Sequence, residues 1–243
     1  MKNRVNLGPF KIATSLDEVS FQSQGVINTI NPHSYIVSKH DPDFKVALIQ
    51  SDYLFPDGIG IVLAHRILNG DRIHKIAGYD IFIHLMKDLN KNKGSCFFLG
   101  SSNQTLGLIK KKAAKEFPDV RISCFSPPFK KTFTTKDCKE MISAVNTADP
   151  DFLFVGMTAP KQEKWVYENK DLLKAEIICS IGAVFDFYSG NVKRPSRLWR
   201  SLSLEWLYRF IKEPKRLFRR NMISTPKFMF AVLMSKLFNK DLN

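Results

Sequence analysis

Five turns in this 243-residue chain carry the residue types that chemistry needs. They are Asn28-Thr29-Ile30-Asn31-Pro32, Pro56-Asp57-Gly58-Ile59-Gly60, Gly100-Ser101-Ser102-Asn103, Gly156-Met157-Thr158-Ala159-Pro160-Lys161-Gln162-Glu163 and Gly182-Ala183-Val184-Phe185-Asp186. Each follows a short apolar run. Asp57 is the sharpest candidate. It ends an apolar strand, is held by Pro56 and precedes a glycine that opens a helix, so its carboxylate can accept a proton from a substrate hydroxyl. The competing reading of Asp57 is a helix N-cap, a position that Asp fills often. Thr29 and Asn31 face the same crevice as hydrogen-bonding groups, although both types are common in turns. Gly100-Ser101-Ser102 lets backbone N–H groups approach a phosphate at a helix N-terminus.

Other chemistries lack their signatures. No G-x-G-x-x-G and no G-x-x-x-x-G-K-[ST] occurs, so dinucleotide and P-loop readings have no fingerprint. His33, His40, His65, His74 and His84 form no H-E-x-x-H or other tight ligand set, and no metal site is expected. Asp41-Pro42-Asp43 has the spacing of a metal-binding D-x-D pair but sits in a polar linker and is discounted. Cys96, Cys124, Cys138 and Cys179 form no C-x-x-C pair and read as buried free thiols in a reducing compartment.

These turns need a scaffold that brings strand ends together. Short apolar runs at 26–30, 53–55, 73–77, 96–99, 121–125, 152–155 and 177–181 read as strands. Amphipathic stretches at 58–68, 79–89, 104–117, 136–146 and 160–169 read as helices. Pro160 suits the first turn of its helix, where a missing N–H does no harm. The alternation predicts an α/β fold, a Rossmann-like, mostly parallel sheet with helices on both faces. In such sheets ligands bind beyond the carboxyl ends of the strands, where the five turns fall.

After Gly190 the chain changes character. Residues 193–243 hold thirteen Lys+Arg against three Asp+Glu, a net of +10 out of the chain's +14. Trp199, Trp206, Phe210, Phe218, Phe228 and Phe230 are interleaved with these cations. Pro195, Pro214 and Pro226 punctuate three short helical stretches. Leu204, Leu207 and Ile211 lie on one helix face, with Arg200 and Arg209 elsewhere. The expected organisation is therefore a core at 1–192 and a basic, amphipathic helical appendage at 193–243. Such a segment calls for an anionic, partly oily partner, and anionic lipid, a lipid-linked phosphate or nucleic acid all qualify. Residues 1–10 lack the apolar run of a signal peptide, and no stretch approaches the ~20 apolar residues that span a bilayer. A cytoplasmic protein lying on a membrane is the expectation.

Four blocks resemble the WecG/TagA/CpsF family of bacterial glycosyltransferases. They are Thr29-Ile30-Asn31-Pro32, LFPDGIG at 54–60, VGMTAPKQEKW at 155–165 and the long signature GAVFDFYSGNVKRPSRLWRSLSLEWLYRFIKEPKRLFRR at 182–220. Together they span most of the chain in the family's order. The resemblance implies a metal-independent, inverting transfer of a hexosyl group from a UDP-sugar to a polyprenyl-diphosphate-linked saccharide, in cell-surface polysaccharide synthesis. No cofactor beyond the UDP-sugar donor is implied. By position, Asp57 becomes the general base, Thr29 and Asn31 shape its pocket, and Gln162 lies near the donor. Arg209, Arg216 and Arg219 match appendage arginines that reach the diphosphate, which guanidinium forks suit. Lys75, Gly100, Ser101, Gly156 and Glu163 complete the expected substrate-binding set. Lys75 is a departure: the family has arginine there, and lysine keeps the charge but loses the planar fork.

The expected partners are the UDP-sugar, the lipid-linked acceptor and an anionic membrane surface at the inner face of the cell membrane, with homo-oligomers open. Nucleic acid is not expected; a nucleic-acid-binding protein using the basic tail, and a small-molecule binder without turnover, stay as rival readings. N-acetylmannosamine, its uronic acid and glucose are equal readings of the donor sugar. Removing 195–243 is expected to leave a folded core without activity.

Overall fold

The computed structural model describes residues 4–19, 21, 24–193, 195, 196, 199, 204–239 and 242. A parallel sheet of six strands runs in the order β4-β3-β8-β7-β5-β6. Its strands are β3 (Gly25–Ile30), β4 (Tyr53–Pro56), β5 (Ser95–Gly100), β6 (Arg121–Phe125), β7 (Phe152–Gly156) and β8 (Ile177–Ser180). β5, β7 and β8 are buried along their whole length, as strands covered on both faces must be. One face carries Ile27, Phe55, Phe98 and Phe154 beneath α4 (Gly78–Asn92), α5 (Asn103–Glu116) and α8 (Val184–Ser189). The other carries Val26, Leu99, Leu153, Val155 and Ile178 beneath α6 (Thr135–Ala148) and α7 (Lys161–Asn169). This is the α/β, Rossmann-like architecture that the apolar runs imply.

Three features differ from the sequence reading. Residues 73–77 are not a strand. Ile73 and Ile76 are buried, but the segment crosses the end of β4 and makes one ladder-like bond, Ile76 N–H to Pro56 O at 2.9 Å. A hairpin of β1 (Arg4–Leu7) and β2 (Phe10–Ala13), turned at Gly8 with φ +57°, forms a second sheet of its own and packs against β4. Helices α1 (Pro32–Ser38) and α2 (Pro42–Ile49) fill the connection from β3 to β4. Asp41 caps α2 through Phe44 N–H, and Lys164 on α7 pairs with both Asp41 at 3.1 Å and Asp43 at 3.3 Å. The D-x-D spacing thus ties two helices together. The cysteines are free, but only Cys96 and Cys179 are buried; Cys124 is exposed on β6, at the edge of the sheet, where one side has no paired strand.

The basic C-terminal segment packs beside α3 (Ile59–Asn69) and α1. It comprises α9 (Glu205–Lys212), α10 (Pro214–Phe218), a π-helical turn (Arg219–Ser224) and α11 (Thr225–Phe238). Pro226 sits in the first turn of α11 and does not interrupt it. Phe228 and Val232 are fully buried in one cluster with Leu7, Phe10, Tyr35 and, from α3 (Ile59–Asn69), Ile61 and Ala64. Tyr35 packs edge-on to Phe228 at 4.9 Å and donates to Leu242 O at 3.1 Å. Arg200, assigned above to a helix wheel, lies outside the described residues.

Candidate active site

β3 and β4 end side by side, with Thr29 opposite Phe55 and Ile30 opposite Pro56. Asp57 N–H continues the ladder to Ile30 O at 2.8 Å, which fixes where the carboxylate leaves the sheet. Side chains alternate along a strand, so Asp57 projects to the same face as Thr29 and Phe55. The N-cap of α3 is Gly58, at φ 93°, with no side-chain cap, so Asp57 does not fill the capping role that its position allowed. Asn31 does cap a helix. Its Oδ1 accepts from His33 N–H at 3.0 Å and Ser34 N–H at 3.1 Å, holding the start of α1 beside the end of β3.

Asp57 is half-buried, and three cations from distant parts of the chain act on it. Burial raises its pKa; Arg220, Lys75 and Arg209 oppose the rise, and Glu205 adds to it. Lys75 pairs with Glu205 Oε1 at 3.4 Å, joining the segment after α3 to the first residue of α9. Arg209 lies with its guanidinium carbon 5.0 Å from the centre of the Phe187 ring. Its Nε is buried without a hydrogen-bond partner among the described residues, and burial and Arg220 lower its pKa. The π-helical turn docks on α1 through His33 Nδ1 and Ser224 Oγ, 2.9 Å apart. Burial and the charges of Arg220 and Arg219 lower the pKa of His33.

The three appendage arginines named from the sequence are not equivalent. Arg209 reaches the field of Asp57. Arg216 is exposed and pairs with Glu213, and Arg219 is exposed on the turn. Arg220, which the sequence reading passed over, is the cation with the largest influence on Asp57 and on Arg209. A π-helical turn carries more residues per turn than the 3.6 of an α-helix, so a regular helical wheel does not place Arg220. Glu205 was also missed, and nothing in its local sequence marks it.

The second part of the site is made of backbone. Gly100 pairs with Gly156 across β5 and β7, and a Cβ on Gly100 would lie 2.3 Å from Gly156 O. A Cβ on Gly156 would strike the Phe185 ring at 2.3 Å. Gly100 at φ +127° and Ser101 at φ +57° then turn the chain into α5, capped by Ser102 Oγ accepting from Thr105 N–H. Gln162 and Glu163 are both buried at the start of α7. Glu163 therefore faces Gln162 and the protein interior rather than an open surface. Among the described residues, no three His, Cys, Asp or Glu side chains gather where they could share a metal ion. No helix there is long and apolar enough to cross a membrane.

A parallel α/β sheet with a half-buried carboxylate at its strand ends and cations folded over it has the build of a sugar-nucleotide or phosphate-handling enzyme. The chain matches the Glycosyl transferase WecG/TagA/CpsF family over residues 6–242, and it belongs to that family. It is 34% identical to the N-acetylglucosaminyldiphosphoundecaprenol N-acetyl-beta-D-mannosaminyltransferase of Bacillus subtilis strain 168 over 208 residues, covering 86% of this chain and 78% of that protein. The protein of the same description in Bacillus spizizenii is 30% identical over 213 residues, 87% of this chain and 80% of the relative. A Staphylococcus aureus (strain MW2) relative with that description is 24% identical over 210 residues, 86% and 80%. The chain is thus a glycosyltransferase, which displaces the reading of a binder without turnover.

Proposed function

We propose that this enzyme transfers N-acetylmannosamine from its UDP derivative to a saccharide carried on a polyprenyl diphosphate, with inversion. The relatives' names support both the sugar and the lipid-linked acceptor. The observation that carries the mechanism is the docking of the C-terminal helices through Lys75–Glu205 and Ser224–His33, which brings the charges of Arg220 and Arg209 to bear on the half-buried Asp57. Asp57 takes the proton of the acceptor hydroxyl as its oxygen forms a bond to the anomeric carbon. The bond from that carbon to the β-phosphate oxygen breaks on the opposite side, and its electron pair leaves with UDP. Burial lifts Asp57 toward the pH at which a carboxylate is an effective base, while the cations keep part of it ionised. The guanidinium groups meet the charge that grows on the departing diphosphate, and no cofactor is proposed beyond the donor.

The outer surface of the C-terminal helices supports action at a membrane. Ile211, Phe218, Phe230, Leu237 and Phe238 are exposed among Lys212, Lys215, Lys227 and Lys236. Apolar side chains with cations at their flanks suit insertion among anionic headgroups, which places the acceptor's diphosphate within reach of the arginines.

The test is UDP release from UDP-N-acetylmannosamine with a synthetic prenyl-diphosphate N-acetylglucosamine. Asp57→Asn keeps the shape of the side chain and is expected to lower kcat by ~10³-fold or more. Full turnover by that variant rules out Asp57 as the base.

A further inference from the structure

We propose that Glu163 is a positioning residue that fixes the side-chain amide of Gln162, and through it the end of the site where the turns after β7 and β8 meet. The inference rests on the reading of Gln162 as a donor-side residue. Gln162 and Glu163 are 5% and 4% exposed, so neither is held in place by solvent. Gln162 Oε1 accepts from Met157 N–H at 3.2 Å, in the turn after β7. Gln162 Nε2 donates to Glu163 Oε1 at 2.9 Å. The two ends of a primary amide have nearly the same shape, and only their hydrogen-bond partners decide which way it points. Glu163 offers an acceptor at the Nε2 end, which leaves Oε1 for Met157.

The same amide lies against the turn after β8. Gly182 has φ +46°, and a Cβ there would stand 3.3 Å from Gln162 Oε1, 3.5 Å from Nε2 and 3.2 Å from Met157 O. Gln162 thus bridges two strand ends at the place where the chain departs for α7 on one face and α8 on the other. Divergence of that kind opens the ligand crevice of a doubly wound sheet.

A buried carboxyl is a poor choice for stability alone. Glu163 Oε2 has no hydrogen-bond partner among the described residues, and a buried acceptor left unpaired is destabilising. An apolar side chain would avoid the penalty but would leave Nε2 without an acceptor. What Glu163 supplies is an acceptor oxygen for Nε2, with or without its proton. Burial also pushes its pKa up to about 7, so the uncharged amide of Glu163→Gln reproduces both its shape and its neutral form.

The experiment is a double-mutant cycle on the full chain, reading donor KM and kcat with UDP-N-acetylmannosamine and following UDP release. Glu163→Leu is expected to raise donor KM ~10-fold or more while kcat changes by less than ~3-fold, the scale seen when a supporting partner of a binding group is removed. Glu163→Gln is expected to stay within ~3-fold of the parent. In a Gln162→Ala background, Glu163→Leu is expected to add little, because residues that act through one another are not additive. Parental KM in Glu163→Leu, or full additivity in the double variant, overturns the proposal. If Glu163→Leu does not fold, the cycle is run with Glu163→Gln and Glu163→Met, and equal KM in both has the same consequence. A normal Gln162→Ala variant removes the donor reading of Gln162, and absence of UDP release by the parent protein removes the proposed function; either takes this inference with it.

Discussion

The two halves of the site are built on opposite plans. At the proposed donor side, Gly100, Gly156 and Gly182 bring backbones and rings into contact inside a continuous core, and Gln162 lies against the turns after β7 and β8. At the proposed acceptor side, Asp57 follows β4, and its electrical surroundings come from Lys75 and from residues 205–220, the latter more than a hundred positions away. That second half is joined to the core by a few polar links, Lys75 to Glu205 and His33 to Ser224, and by the buried face of α11. On the proposed assignment, donor geometry is a property of the sheet, whereas the reactivity of Asp57 depends on docking. Damage to the C-terminal helices should therefore reach the chemistry without disturbing the glycine turns.

Removing 195–243 breaks the acceptor half outright and is the largest effect expected. Turnover should fall below detection, and sedimentation with anionic vesicles should be lost. The core should also suffer, because Phe228, Val232 and Leu242 are buried with Tyr35, Phe10 and Ile61. Losing two such side chains from a packed cluster costs on the order of 5 kcal/mol. A clear drop in melting temperature is the expected outcome, together with a change in oligomeric state as the uncovered apolar face seeks a partner. A truncated protein that melts like the full chain would show that α11 does not belong to the core cluster.

Single arginine substitutions sharpen the comparison. Arg220→Ala is expected to lower kcat/KM by ~10²-fold, and Arg216→Ala by less than ~5-fold, since Arg216 is exposed and already paired with Glu213. The pH profile separates charge from shape. Asp57 must be ionised to act, so the acid limb of kcat/KM follows its raised pKa. Deleting the Arg220 charge removes the strongest influence holding that pKa down, so the limb should move to higher pH. Arg216→Ala should leave it in place. Equal shifts in both variants would mean that the appendage acts as a diffuse positive cloud rather than through one placed guanidinium.

The sequence shows the donor half of this contrast more clearly than the acceptor half, and the reasons are physical. β5, β7 and β8 are uninterrupted apolar runs, so strand, sheet and the glycine turns that end them are all visible in one window. Asp57 and Thr29 are visible for the same reason. Ile73–Ala77 misleads because Ile73 and Ile76 are buried like strand residues, yet the segment makes a single ladder-like bond, to Pro56 at the end of β4. The hairpin at Arg4–Ala13 escapes because its strands are only four residues each and carry polar residues on one side. Arg220 cannot be chosen over Arg219 without knowing that a π-helical turn docks on α1, a contact between residues 191 positions apart in His33 and Ser224. Glu205 is local to nothing it touches. Residues whose role depends on where a distant helix lands carry no periodic or motif signal.

The smallest effect expected tests the donor half by stability instead of rate. Glu163 is buried, and its pKa in the folded protein is raised from 4.5 to about 7. A raised folded-state pKa means that the native protein holds the proton more tightly than the unfolded chain does. The resulting stabilisation is fully present below the unfolded value and is lost as pH climbs through about 7, which amounts to on the order of 3 kcal/mol. Glu163→Gln has no proton to lose. Its melting temperature should match the parent near pH 5 and exceed it near pH 8, with the crossing between those limits set by Glu163 alone. A variant that melts in parallel with the parent across that range would mean that the carboxyl finds solvent or a cation in solution. The buried acceptor that orients Gln162 would then be free to move, and the rigidity assigned to the donor side would have to come from the glycine contacts by themselves.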